Sequence, residues 1–130
     1  KIFAQEGIHI DASSSFEVQR AIQAAHIDPK KIQLTTQEFR YDLWALIKLG
    51  VKYNATSLYQ LEEYGKKYPH THLSIRINPG TGSKKKKKTS TWGVTSSFGI
   101  RYGYLDKVHE LIQKYHIVVA AFFYILNSII

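Results

Sequence analysis

Between Gly7 and Arg20 the sequence GIHIDASSSFEVQR gathers Asp11, Ser13 to Ser15 and Glu17, the side chains of this chain best suited to chemistry. Serines suggest a nucleophile, but no G-x-S-x-G elbow surrounds them. The pair His70 and His72 has the donors for a metal yet no carboxylate at ligand spacing, so solvated or capping histidines are expected and no metal site. Gly80-Thr81-Gly82-Ser83 precedes lysines as in a phosphate loop, but it lacks Walker spacing and follows Pro79 instead of opening a helix. What remains is a pocket floor: Asp11, the serines and Glu17 stand where a strand would end and a helix begin, the place where α/β folds hold their ligands.

The elements that would position these residues follow from periodicity. Ile8 to Asp11 suits a buried parallel strand, Ser13 to Ser15 supply an N-cap, and Glu17 falls in the first turn, where an acid suits the helix dipole. A helix from about Phe16 to Ala25 carries Phe16, Ala21, Ile22 and Ala25 at near-helical spacing, and Asp28-Pro29 breaks it. Lys31 to Thr35 reads as a strand. Thr36-Gln37 opens a helix with Leu43, Trp44, Ile47 and Leu49 as its apolar stripe and Gly50 as its stop. Val51 to Ala55 is the next strand, and Thr56 or Ser57 caps a helix that Gly65 or Pro69 ends. His72 to Ile77, a helix from about Tyr102 to Tyr115, and Ile117 to Phe123 complete the series. The one long irregular segment, Asn78 to Phe98, is a functional or disordered loop by its length. About five strands alternating with four helices imply a parallel sheet with right-handed crossovers, either doubly wound or an arc of a barrel.

With 130 residues, 44% of them hydrophobic, one domain over residues 1–130 is expected. The absence of cysteine excludes disulfides, thiolate metal sites and a cysteine nucleophile, and leans the chain toward the cytoplasm. There is no methionine, even at position 1, so a processed product or an excised piece is expected. The formal charge of +8 owes much to one block, Lys84 to Lys88, which reads as a solvated loop that attracts polyanions without sequence preference. Specific nucleic-acid binding is not expected. Nor is a membrane span, because the apolar run from Ile117 to Ile130 is shorter than the roughly twenty residues a span requires.

Five segments, DASSSFEVQRAIQAA, DPKKIQLTTQE, IKLGVKYNATSLYQLEEYGK, SIRINPGTGS and TSSFGI, in this order and spacing, resemble the barrel domain of the diaminopimelate decarboxylase family. These are fold-type III decarboxylases dependent on pyridoxal 5′-phosphate (PLP), related to ornithine and arginine decarboxylases and alanine racemase. The resemblance implies the second to sixth strands of a (β/α)8 TIM-like barrel, a PLP cofactor, an amino-acid substrate, a homodimer and a role in lysine biosynthesis. It gives Asp11 and Glu17 catalytic positions near the family's lysine and cofactor, and Arg76 a cofactor-binding position at the end of a strand. By the residues alone, Asp11 is equally a helix-capping acid, Glu17 a plain first-turn acid, and Arg76 the partner of Glu62 or Glu63.

The family's catalytic lysine lies on a strand that precedes the part matched here. Its sixth strand closes with HIGSG around the phosphate, where this chain has Ile125 to Ile129 and keeps only Ser128. The chain by itself is therefore not expected to catalyse the decarboxylation of meso-diaminopimelate to lysine. The alternative is a non-catalytic α/β fragment that acts as an assembly module, its open sheet edges buried against other protein.

Overall fold

A computed structural model of the chain describes residues 6–79 and 98–124. Lys1–Asn54 and Ala55–Ile130 form two compact units. Strand and helix alternate through both, apart from two successive strands among the described residues of the second, and every strand pair described is parallel.

In the first unit β1 (Ile10–Ala12), α1 (Ser15–Gln23), β2 (Ile32–Leu34), α2 (Leu43–Lys48) and β3 (Lys52–Ala55) follow one another, the last residue of β3 opening the second unit. β1 starts two residues later than its apolar run. β1 and β2 pair as Ile10↔Ile32, Asp11↔Gln33 and Ala12↔Leu34, and β2 and β3 as Gln33↔Lys52 and Leu34↔Tyr53. Ser14 is the N-cap of α1, its hydroxyl accepting from the Glu17 amide at 3.3 Å. Val18 is the buried anchor of that helix, whereas Phe16, expected inside, is 62% exposed with the Arg40 guanidinium 5.2 Å from its ring centre. After α1 the backbone turns left-handed at His26 (φ 54°), a conformation that glycine adopts most readily.

α2 is shorter than its pattern suggested because side chains hold the preceding segment in turns. Thr36 Oγ1 accepts from the Glu38 amide at 3.2 Å, and Asp42 accepts from Ser15 at 3.1 Å and pairs with Arg40 at 3.3 Å. The buried face of α2 is Leu43 and Leu46, and Leu49 points outward.

The second unit contains α3 (Leu58–Lys67), β4 (His72–Asn78), β5 (Ile100–Arg101), α4 (Leu105–Tyr115) and β6 (Val118–Phe123), with a 3₁₀ turn over Tyr102–Tyr104. Leu73, Ser74, Ile75, Ile77 and Asn78 are all buried, so β4 is covered on both faces, as a central parallel strand must be. It pairs with β6 from His72↔Val118 to Arg76↔Phe123, with a bulge after Leu73, and with β5 at Ile77↔Ile100 and Asn78↔Arg101. The two-residue β5, the 3₁₀ turn over Tyr102–Tyr104 and another over Pro29–Lys31 in the first unit are the additions to the expected element series. The irregular segment between β4 and β5 falls mainly on residues 80–97, outside the described residues together with Lys84 to Lys88.

Gly65 does not end its helix. It lies inside α3 because Tyr115 of α4 packs directly on it: a Cβ at Gly65 would stand 2.5 Å from Tyr115 Cδ2 and 2.9 Å from its Cβ. Beyond the helices, His70 and His116 take left-handed backbone and stack their rings at 4.7 Å. Among the described residues no helix is long and apolar enough to cross a membrane.

Two stability measurements check these features. Gly65→Ala is expected to destabilise the fold by about 2 kcal/mol in urea titration, since overpacking against Tyr115 outweighs the better helix propensity of alanine; an unchanged midpoint would mean that Tyr115 yields freely. At His26, glycine relieves the left-handed strain while a β-branched residue worsens it. His26→Gly should therefore raise the midpoint, by about 0.5 kcal/mol, and His26→Val lower it.

Candidate functional site

In the first unit the site is built on the carboxyl ends of three parallel strands. The register that sets Asp11 opposite Gln33 brings Thr35, two residues on and just past the end of β2, against the same carboxylate. Thr35 Oγ1 donates to Asp11 Oδ1 at 2.6 Å, and Asn54 Nδ2, from β3, donates to Thr35 Oγ1 at 3.1 Å. Gln33 Nε2 lies 3.5 Å from Asp11 Oδ1, at the edge of hydrogen-bonding distance. Asp11 is thus a strand-end acceptor and not the helix cap, a task that Ser14 performs. Its side chain faces solvent, while Asn54 is 1% exposed. Beside it, burial pushes the Tyr53 phenol well above its ordinary range, so Tyr53 stays neutral.

Glu17 is engaged locally. Its carboxylate accepts from the Ser13 amide at 2.7 Å and from the Ser13 hydroxyl at 3.0 Å, which closes the turn before α1. That is the first-turn role its position allowed by itself.

In the second unit Arg76 occupies the fifth position of β4, half-buried. Its guanidinium lies 5.1 Å from the centre of the Phe98 ring, while Glu62 and Glu63, the acids that could have claimed it, both pair with Lys66. Gly99 makes this approach possible. Its φ of +84° is left-handed, and a Cβ there would press on Arg76 O at 3.1 Å and Arg76 Cγ at 3.3 Å. Alongside, Thr56, Ser57, Leu58, Gly99, Arg101 and Tyr104 help line an open cleft of about 280 Å³. Ser128 lies outside the described residues.

Reading the sequence for acids and cations missed Thr35 and Asn54, which are neutral and unremarkable in isolation. A signal for Asn54 was present in an internal repeat. Asp11-Ala12-Ser13-Ser14, with Glu17 three residues on, recurs as Asn54-Ala55-Thr56-Ser57, with Gln60 three residues on. The structure repeats the turn as well: Ser57 Oγ accepts from the Gln60 amide at 3.2 Å, and Gln60 Oε1 accepts from the Thr56 amide at 2.7 Å. The first copy carries two acids and the second two amides. No such pattern marked Thr35.

Residues 1–123 match the family model described as pyridoxal-dependent decarboxylase, pyridoxal binding domain. The chain is 33% identical over 119 residues to diaminopimelate decarboxylase of Streptomyces coelicolor, an alignment covering 88% of this chain and 27% of that protein. It is 36% identical over 102 residues to the enzyme of the same name from Buchnera aphidicola subsp. Schizaphis graminum, covering 77% of this chain and 25% of the relative. A crystal structure of diaminopimelate decarboxylase superposes with a TM-score of 0.82 at 28% identity, over 93% of this chain and 30% of that one. The Helicobacter pylori enzyme, crystallised with L-lysine, superposes at 0.78 with 23% identity, covering 93% of this chain and 32% of its own. The chain therefore spans between a quarter and a third of the length of the relatives it matches, and its parallel βα repeats are those of a decarboxylase (β/α)8 barrel. Matched along nearly all of its length by the model of their cofactor domain, the chain belongs to the pyridoxal-dependent decarboxylases.

Proposed function

We propose that this chain belongs to a protein that decarboxylates meso-diaminopimelate to lysine with PLP, Asp11 being a catalytic residue and Arg76 a cofactor-binding one. The observation that carries the proposal is the seat of Arg76: a fixed cation on the central strand, held by the Phe98 ring and approached closely only because residue 99 is glycine. Such a seat fits an anionic cofactor. Arg101 and the hydroxyl residues Thr56 and Ser57 of the neighbouring cleft add charge and polar groups suited to a phosphate or a carboxylate. Bound PLP would supply an electron sink for the carbon that loses its carboxylate.

Each residue has a distinct task in this reading. Arg76 binds and orients negative charge with permanent donors. Asp11, an acceptor held from below by Thr35, orients an amine. Glu17 shapes the turn that presents Asp11, and Ser128 is a phosphate donor in the same proposal. An amino-acid substrate, a homodimer and a cytoplasmic setting belong to it too.

The test uses the protein that carries this segment. With PLP present it is expected to release carbon dioxide from meso-diaminopimelate in preference to ornithine or arginine. Arg76→Ala should weaken PLP retention in equilibrium dialysis about tenfold, the loss of one charge-assisted contact. Preference for another amino acid would overturn the substrate, and unchanged retention the role of Arg76.

A second reading, association with further protein, is favoured by β6. In that strand Val118, Phe122 and Phe123 are 50%, 53% and 38% exposed, an apolar strand offered to solvent. Sedimentation of the 130-residue chain should then depend on concentration; a monomer at every concentration would count against this reading.

A further inference from the structure

We propose that Thr35 and Asn54 are positioning residues for Asp11, a relay that fixes which carboxylate oxygen is offered to a ligand. The inference rests on the reading above, in which Asp11 belongs to the active site.

The distances assign the protons. Thr35 Oγ1 and Asp11 Oδ1 stand 2.6 Å apart, and a carboxylate only accepts, so the single hydroxyl proton of Thr35 lies between them. That hydroxyl can then only accept from its other neighbour. The Asn54 atom 3.1 Å away is accordingly the Nδ2 donor, and the amide orientation is dictated by Asp11 two links off. Both described bonds to Asp11 end on Oδ1, which leaves Oδ2 without a partner among the described residues. The far end of the relay is rigid, because Asn54 is 1% exposed, and its Oδ1 is buried with no hydrogen bond among the described residues. A buried acceptor left open is costly, by about 1–3 kcal/mol, and a flipped amide would not relieve it without breaking the bond to Thr35. The relay thus holds Oδ1 and turns Oδ2 outward, ready for a donor such as a primary ammonium.

The experiment reads side-chain signals by NMR in the 130-residue chain without cofactor or substrate. Asp11→Asn, which keeps the shape and removes the charge, is expected to shift the Asn54 Nδ2 protons although the two side chains share no bond. Thr35→Val should abolish that coupling and move the Asp11 carboxyl carbon signal, while Thr35→Ser restores both. Asn54 signals unmoved by Asp11→Asn, or a failure of Thr35→Ser to restore them, would overturn the relay. If Thr35→Val does not fold, the Asp11→Asn and Thr35→Ser spectra decide the matter. An intact relay in a protein without decarboxylase activity would refute the functional reading alone.

Discussion

The parallel register of β1, β2 and β3 is the constraint on which the Asp11 site depends. Side chains alternate along a strand, so a slip of one residue would turn Asp11 to the opposite face and carry Thr35 away with it. The register is held by burial: Ala12, Ile32, Leu34 and Tyr53 are all 4% exposed or less, and each fully buried large side chain contributes about 1.5–3 kcal/mol. Those apolar residues therefore place a polar relay that none of them touches chemically. Asp11, Thr35 and Asn54 meet because their strands end together, not because they are near in sequence.

The same turn is used twice for different ends. After β1 and again after β3, a serine caps the next helix and the side chain three residues later reaches back to the amide that precedes the cap. The first copy stays at the surface, where the carboxylate of Glu17 is exposed. The second is buried, with Gln60 1% exposed, and there an uncharged amide satisfies the backbone without the desolvation cost that a carboxylate would carry. Acid and amide follow the burial of each turn.

Arg76 illustrates how a strand interior can hold a cation. β4 is apolar or neutral on both sides of it, and the guanidinium spreads over Phe98 while the aliphatic stem packs under Gly99. Glycine at 99 and glycine at 65 serve a related purpose. Each removes a Cβ where another element must come close, Arg76 in one case and Tyr115 in the other.

The order of strands and helices was legible in the residues, because alternation of apolar runs with Ser-capped helical spacing is local information and each element carries its own. So was the family, which five spaced segments identify and the match along residues 1–123 shows. Extents were less legible: α2 lost its first turns to side-chain bonds of Thr36 and Asp42, and Gly65 looked like a helix stop although it is a contact point for Tyr115. Phe16 was misplaced for a similar reason, since periodicity cannot tell a core face from an exposed one on which Arg40 rests. Of the candidate site, Asp11 and Glu17 stood out by residue type near the join of a strand and a helix, and Arg76 through the resemblance to the decarboxylase family. What holds them follows from strand pairing and from contacts distant in sequence. Thr35 and Asn54 become a relay through pairing between strands, and Arg76 chooses Phe98 over Glu62 and Glu63 because those acids already face Lys66 on their own helix.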